Sequence, residues 1–155
     1  NLRKTLFDWS ISYAEKRLGF SGNFYIDNEI YIRINFPYNT RFSAESSKRT
    51  HPNHRLAAYN KYLPKGLWAH GPHKDSWYGH SLNALNFWMA INELNEQNTM
   101  ILYPEHAYQP TVYDSSTMYA SYEEDLGRPI KFKLKKGENL LFDPELLHST
   151  RINTY

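Results

Sequence analysis

The sequence contains no cysteine, which excludes disulfide frameworks, thiolate zinc sites and cysteine nucleophiles. Any metal ion in this protein must therefore be held by histidine and carboxylate side chains. Long apolar runs are also missing, because the longest one covers only residues 87–91, far short of the roughly 20 residues that cross a bilayer. We expect no membrane among the partners of this protein.

The excess of positive charge is small, since 18 Lys and Arg residues stand against 16 Asp and Glu, for a net charge of +2. This balance predicts no basic stripe that would follow a nucleic acid backbone. The length of 155 residues suits one domain with its own core, so we expect residues 1–155 to form a single domain. Because the sequence starts at Asn1 and stops abruptly at Tyr155, we also expect a fragment that is truncated at its C-terminus.

Aromatic residues are frequent: 13 Tyr, 8 Phe and 4 Trp make up 16% of the chain. Such side chains favour half-buried pleated surfaces, so mostly β structure is expected. Residues 2–18 are the exception, because their apolar side chains recur at helical spacing and Gly19 follows as a C-terminal cap. Alternating runs at 24–26 and 30–34 predict a hairpin, and the polar stretch 37–56 predicts a long surface loop or lid.

Beyond residue 62 the sequence predicts short strands separated by turns, with no helices between them. This pattern favours a sandwich or a barrel. The predicted strands are 66–69, 84–94, 99–103, 130–134 and 139–142. The tract from Lys131 to Lys136 alternates lysine with apolar residues as far as Lys135, which predicts a half-exposed strand at a sheet edge.

A histidine and an aspartate, His73 and Asp75, lie two positions apart within residues 71–77. In extended backbone they project to the same side and Lys74 points away, so one short segment supplies two metal ligands. A third comes from His148, which follows a short buried strand and a proline-containing turn. Two imidazoles and one carboxylate on one face of a metal leave three coordination positions open, as in non-haem Fe(II) oxygenases.

Four pieces of the sequence also resemble a known family, in the order that the family has them. They are Pro72-His73-Lys74-Asp75, the strand Leu85–Leu94, the segment Asn98–His106, and Lys136–Asn139 running on to His148. On these pieces, which lie within residues 66–153, the sequence resembles the phytanoyl-CoA dioxygenase-like branch of the Fe(II)/2-oxoglutarate-dependent oxygenases. Ectoine hydroxylase belongs to the same branch.

The resemblance implies a double-stranded β-helix, a jelly-roll or cupin-like fold, here with an N-terminal helix. It implies that His73, Asp75 and His148 bind Fe(II), and that the enzyme uses 2-oxoglutarate and O2 to oxidise a small metabolite in a biosynthetic or tailoring pathway, with succinate and CO2 as co-products. Related halogenases replace the carboxylate ligand with a small residue. The presence of Asp75 therefore favours hydroxylation, or desaturation and cyclisation, over halogenation.

The resemblance also suggests further site residues. Thr150 matches a position whose hydroxyl assists the cosubstrate, and Trp88 matches one that lines the cosubstrate pocket. Trp77 and His80 follow the metal pair closely, and we expect them to touch substrate. The family's arginine for the distal carboxylate of 2-oxoglutarate would fall beyond Tyr155.

Three alternatives stay open at this point: a metal-dependent cupin of another class, a jelly-roll module that binds carbohydrate through its aromatic residues, and a catalytically silent relative. For the enzyme, the basic and aromatic residues near the site suit a small substrate that is anionic, amino-acid-like or sugar-like, or tethered to a carrier. The cytoplasm is the expected location, because its reducing conditions keep iron in the Fe(II) state.

Overall fold

A computed structural model of the chain describes residues 2–27, 31–33, 68–116, 118–121, 124–151 and 153. They fall into two units, residues 1–34 and residues 35–155. The lid predicted at 37–56 lies outside the described residues. No helix in the described part of the chain is both long and apolar enough to cross a membrane.

The first unit contains the predicted helix, α1, at Leu2–Arg17. Lys16 and Arg17 occupy its last turn, where positive charge interacts favourably with the helix dipole. Gly19 then adopts a φ of 70°, a left-handed conformation that ends the helix at little steric cost. The sequence prediction of this helix is confirmed to within one residue.

The hairpin predicted at 24–26 and 30–34 is wrong in its described part. Residues 23–27 and 31–33 form no strand. The side chains of Tyr25, Tyr31 and Ile32 are exposed. Alternation of apolar and polar residues gives a strand only when one face is buried against another element. Here the side chains of Phe24 and Ile26 are only half-buried.

The described residues of the second unit form short strands, and the pairings among these strands are all antiparallel. The strands are β1 at Trp68–His73, β2 at Asn86–Met89, β3 at Met100–Tyr103, β4 at Tyr113–Asp114, β5 at Tyr119–Ala120, β6 at Ile130–Lys131, β7 at Asn139–Phe142 and β8 at Leu147–Arg151. A four-stranded sheet has the order β1-β8-β3-β6, while β2 pairs with β7 and β4 with β5. One short 3₁₀ helix, at Asp75–Tyr78, comes shortly after β1, and another, at Pro104–His106, comes directly after β3.

Strand β8 lies between β1 and β3, and this placement fixes the orientation of its side chains. In the described part of the chain, the core cluster around β8 consists of the buried side chains of Ile101, Tyr103, Ala120, Leu126 and Leu147. In the β3–β8 register, Leu102 lies opposite His148. A slip of one residue would move Leu147 out of the core and turn His148 to the other face, so burial of the core holds the register.

The outer strands of this sheet differ from regular strands in ways that their sequences explain. Strand β1 has two register shifts against β8, one on each side of His70. Pro72 lacks a backbone N–H and is tolerated because β1 is an edge strand. At the other edge, β6 covers only Ile130–Lys131, and Leu134 forms an isolated bridge with Leu94.

Candidate metal centre

The β1–β8 pairing brings together two histidines that are far apart in the sequence. His73 lies opposite His148, and their ring centroids are 4.3 Å apart. Lys74 has extended backbone, with φ −108° and ψ 137°, before the 3₁₀ helix begins at Asp75. The Oδ1 atom of Asp75 lies 3.4 Å from Nε2 of His73 and 3.6 Å from Nε2 of His148. The donor atoms of all three side chains lie within 4.8 Å of one another.

Backbone carbonyls set the tautomers of both imidazoles. His73 Nδ1 lies 2.7 Å from the carbonyl oxygen of Gly71, and His148 Nδ1 lies 2.9 Å from that of Leu146. Because a carbonyl oxygen only accepts, each Nδ1 must carry the proton and donate it. In the neutral imidazoles each Nε2 is then left with a lone pair directed at the common centre, which is the arrangement of metal-binding histidines. In the protonated imidazoles Nε2 carries a hydrogen instead, and this hydrogen faces Oδ1 of Asp75.

The two oxygens of Asp75 have different partners. Oδ1 faces the two imidazoles, whereas Oδ2 accepts a hydrogen bond from Nδ2 of Asn86 at 2.5 Å. Burial acts to raise the pKa of Asp75, but the hydrogen bond with His73 and the charge of His148 outweigh it, and the pKa falls from 3.8 to about 2. The carboxylate is therefore ionised and ready to bind a cation throughout the physiological range.

This donor set fits a divalent metal ion that keeps part of its coordination sphere free. An ion about 2.1 Å from each donor would separate neighbouring donors by roughly 3.0 Å in an octahedron, close to the spacings between Asp75 and the two imidazoles. The His73 and His148 side chains are 3% and 4% exposed, whereas that of Asp75 is 20% exposed. Of the three side chains, that of Asp75 is therefore the most accessible to solvent.

Aromatic rings surround the two histidines. Tyr78 packs edge-on against His73 at 5.4 Å, and Phe142 packs in the same way against His148 at 4.8 Å. The hydroxyl of Tyr119 is 3.0 Å from Nδ1 of His70, whose ring lies 4.3 Å from that of His73. The rings restrict water around the donors, which strengthens electrostatic interactions at the centre.

The low pKa of Asp75 gives a prediction for the metal-free protein. A carboxyl whose pKa falls from 3.8 unfolded to about 2 folded stabilises the protein above pH 3.8 and loses that contribution as the pH falls through 2. We expect wild type to exceed Asp75→Asn in free energy of unfolding by about 2 kcal/mol at pH 5 and by almost nothing at pH 2. Urea unfolding with a chelator at a series of pH values measures this difference. A difference that stays constant between pH 5 and 2 would contradict the prediction.

A buried lysine holds the same segments from the side away from the metal donors. The side chain of Lys74 is only 3% exposed, and its Nζ lies 3.2 Å from Oε2 of Glu145 and 2.8 Å from the carbonyl oxygen of Gln109. The backbone N–H of Ser76 also donates to the carbonyl oxygen of Pro144 at 3.4 Å. The segment carrying His73 and Asp75 is thus joined to the turn that precedes His148.

We expect the two partners of this ion pair to respond unequally to substitution. Glu145→Gln leaves the buried ammonium of Lys74 without its charged partner and should lower the free energy of unfolding by about 2 kcal/mol. Lys74→Met leaves the carboxylate of Glu145, which is 22% exposed and can be hydrated again. This substitution should therefore lower the free energy of unfolding by less. Chemical denaturation of both variants measures the difference. Equal costs, or a larger cost for Lys74→Met, would contradict this reading.

The other site residues predicted from the sequence occupy different places around the centre. Thr150 is buried two residues after His148, on the same face of β8, opposite Met100 of β3. Trp88 is half-buried on β2, on the same face as Asn86. Their roles toward a cosubstrate stay predictions.

Trp77 and His80, predicted to contact substrate, differ in exposure. Trp77 is stacked on Tyr113 with centroids 4.4 Å apart and packs against the core cluster around Ile101. His80 is exposed, and its charge contributes to the lowered pKa of Asp75. Of the two, His80 is the more accessible to a small molecule.

Several residues at this centre were missed by the sequence analysis. Asn86, Tyr78 and Tyr119 contact the candidate ligands or their neighbours, and Gly71 supplies a carbonyl. A signal was available for Asn86, because it opens an apolar strand in which a polar residue must find a partner. No comparable signal marks Tyr119, since its position depends on the two-residue strands β4 and β5.

Comparison with known protein families adds to this geometry. The model of the phytanoyl-CoA dioxygenase family matches residues 37–154. No curated protein and no solved structure matches the chain. Members of the family are Fe(II)/2-oxoglutarate-dependent oxygenases with a jelly-roll or cupin fold, they use O2 as well, and they act on small molecules. The antiparallel sheets and the N-terminal helix agree with that fold, so the predicted fold class is confirmed.

The match covers most of the chain and includes His73, Asp75 and His148. An Fe(II) ion needs nitrogen and carboxylate donors with free positions for two further reactants, and the donor set described above meets that need. The chain belongs to the phytanoyl-CoA dioxygenase family and is an Fe(II)/2-oxoglutarate-dependent oxygenase.

Proposed function

We propose that this enzyme binds Fe(II) through His73, Asp75 and His148 and oxidises a small metabolite in a biosynthetic or tailoring pathway. The observation that carries the proposal is the convergence of three donor atoms from β1, the following 3₁₀ helix and β8 within 4.8 Å. The Nδ1 hydrogen bonds of both histidines support it, because they orient the lone pairs of Nε2 towards the same point.

The iron, 2-oxoglutarate and O2 together supply oxidising power, with succinate and CO2 as co-products. The protein's own contribution is to hold the donors, to leave one side of the centre accessible and to limit water. We propose that Thr150 and Trp88 contact the cosubstrate, because each lies on the same face of its strand as a residue at the centre, His148 and Asn86 respectively.

We further propose that the substrate approaches from the Asp75 side, where His80 and Tyr78 are exposed. An imidazole and a phenol at that entrance suit a small anionic, amino-acid-like or sugar-like molecule, free or tethered to a carrier. The carboxylate ligand Asp75 favours hydroxylation, or desaturation and cyclisation, as the reaction. A location in the cytoplasm remains our proposal, since reducing conditions keep Fe(II) available.

The test is the formation of succinate from 2-oxoglutarate by the purified full-length protein under air. We expect succinate when Fe(II) is added, loss of the signal after treatment with a chelator, and recovery when Fe(II) is restored. Protein without added metal and protein with Zn²⁺ in place of Fe(II) are the controls. Failure of the folded, iron-loaded protein to form succinate would contradict the proposed activity, and glycan binding that a chelator does not change would favour a carbohydrate-binding module.

A further inference from the structure

We propose that Asn86 is a positioning residue that keeps Asp75 bound to the metal through one oxygen only. This inference rests on the proposed function, because it assigns the orientation of a ligand at the iron centre. Asn86 Nδ2 lies 2.5 Å from Oδ2 of Asp75, the oxygen turned away from the histidines. The other oxygen, Oδ1, is the one that faces Nε2 of His73 and His148.

The orientation of the Asn86 amide follows from the chemistry of its partner. A carboxylate that binds a metal ion is ionised, so both oxygens of Asp75 only accept hydrogen bonds at such a centre. The group in contact with Oδ2 must therefore be the NH₂ of Asn86. A hydrogen bond to a charged oxygen is short and strong compared with a neutral one, and it can hold the carboxylate in a single rotamer.

Asn86 is itself held by a different sheet from the one that carries the histidines. It begins β2, and its cross-strand partner on β7 is Phe142. The ring of Phe142 packs edge-on against His148. The β2–β7 pair thus contacts the centre at two points, through Asn86 at Asp75 and through Phe142 at His148, and the position of Asn86 relative to the metal donors is fixed by both.

The consequence concerns the number of free coordination positions. A carboxylate with no partner on its second oxygen can turn and bind a cation through both oxygens, which takes up one more position. At a centre with three protein ligands, that position is one of the three that 2-oxoglutarate and O2 require. The hydrogen bond from Asn86 engages Oδ2 and keeps all three available.

Asn86→Leu removes the donor with little change in side-chain size, whereas Asn86→Gln keeps an amide donor on a longer side chain. Asn92→Leu is the matched control, because the Asn92 amide is exposed and donates to the carbonyl oxygen of Glu93. The metal-binding readouts are Co(II) titration and the visible absorption of the Co(II) protein, which reports coordination number without turnover. The activity readouts are kcat and the KM for 2-oxoglutarate of the Fe(II) enzyme.

For Asn86→Leu we expect a changed Co(II) spectrum before 2-oxoglutarate is added and a KM for 2-oxoglutarate raised about tenfold. The Co(II) dissociation constant should change much less, because Oδ2 replaces the lost interaction with a second bond to the metal. Asn86→Gln should recover part of both effects, and Asn92→Leu should match wild type.

A folded Asn86→Leu protein with the wild-type spectrum and KM would overturn the inference. Equal losses in Asn86→Leu and Asn86→Gln, with weakened Co(II) binding in both, would also overturn it and show that Asn86 only joins the two sheets. Neither result would affect the proposed function, because that fails only if wild type binds no metal or forms no succinate.

Discussion

Replacing His148 with alanine is expected to lower the affinity for Fe(II) by about 100-fold or more and to abolish succinate formation. The side chain of His148 is 4% exposed and is held by the carbonyl oxygen of Leu146 and the ring of Phe142, so its imidazole is oriented before any metal arrives. Alanine removes one of the three proposed donors, and within the described residues no other histidine or carboxylate joins the group that these donors form. Equilibrium dialysis with Fe(II) under anaerobic conditions measures the affinity.

His106→Ala is the matched control for this substitution. His106 Nδ1 lies 3.2 Å from Oγ1 of Thr111 and Nε2 lies 2.7 Å from the carbonyl oxygen of Asp125, so this imidazole stabilises a turn and supplies nothing to the centre. We expect His106→Ala to keep wild-type Fe(II) affinity even if it is less stable. Near-wild-type Fe(II) binding by folded His148→Ala would rule out His148 as a ligand.

The second large effect is expected when Gly71 is replaced with alanine, which adds a single methyl group. A Cβ at this position would lie 2.5 Å from Cδ2 and 2.7 Å from Cγ of Tyr119, too close for either atom. The carbonyl oxygen of Gly71 also accepts the hydrogen bond that sets the tautomer of His73. We expect Gly71→Ala to lower the free energy of unfolding by about 3 kcal/mol and to weaken Fe(II) binding at least tenfold.

A double-mutant cycle tests the cause of that effect. The closest atoms to the new methyl group all belong to the Tyr119 ring, so Tyr119→Ala removes the steric clash. Tyr119→Ala alone also destabilises the protein, because the packing of the ring is lost. We expect Gly71→Ala combined with Tyr119→Ala to be less destabilised than the sum of the single substitutions by about 1–2 kcal/mol. Urea unfolding of the four proteins gives this coupling energy, and strictly additive losses would show that the ring is not what the methyl group meets.

The parts of this structure that were predictable depend on local periodicity. Helix α1 and strands β3 and β7 follow the predicted ranges because their apolar spacing matches faces that are half-buried in α1 and β7 and mostly buried in β3. The pairing of His73 with Asp75 followed from the alternation of side chains along extended backbone, and Lys74 does point to the other side. At Tyr25 and Tyr31, whose side chains are exposed rather than buried against another element, the same reasoning failed.

The parts that were not predictable depend on contacts between distant segments. Strands β4 and β5 are two residues long, and their turn relies on Asp114 accepting from Ser116 and on Met118 at a φ of 58°. No periodic signal marks such a hairpin, so the place of Tyr119 above Gly71 could not be inferred. The roles of Asn86 and of the Lys74 side chain likewise appear only once β2 and the β7–β8 turn are placed.

The adjacency of β1 and β8 has a consequence for how the enzyme acquires its iron. Strand β1 is the first and β8 the last of the described strands in the sequence, so the contact between them cannot form until the whole segment from β1 to β8 has been synthesised. A nascent chain that has not yet completed β8 offers Fe(II) only two of the three donors. Iron loading must therefore be a late event, and bound metal should slow amide hydrogen exchange in β1 and β8 together, because losing either strand releases the ion.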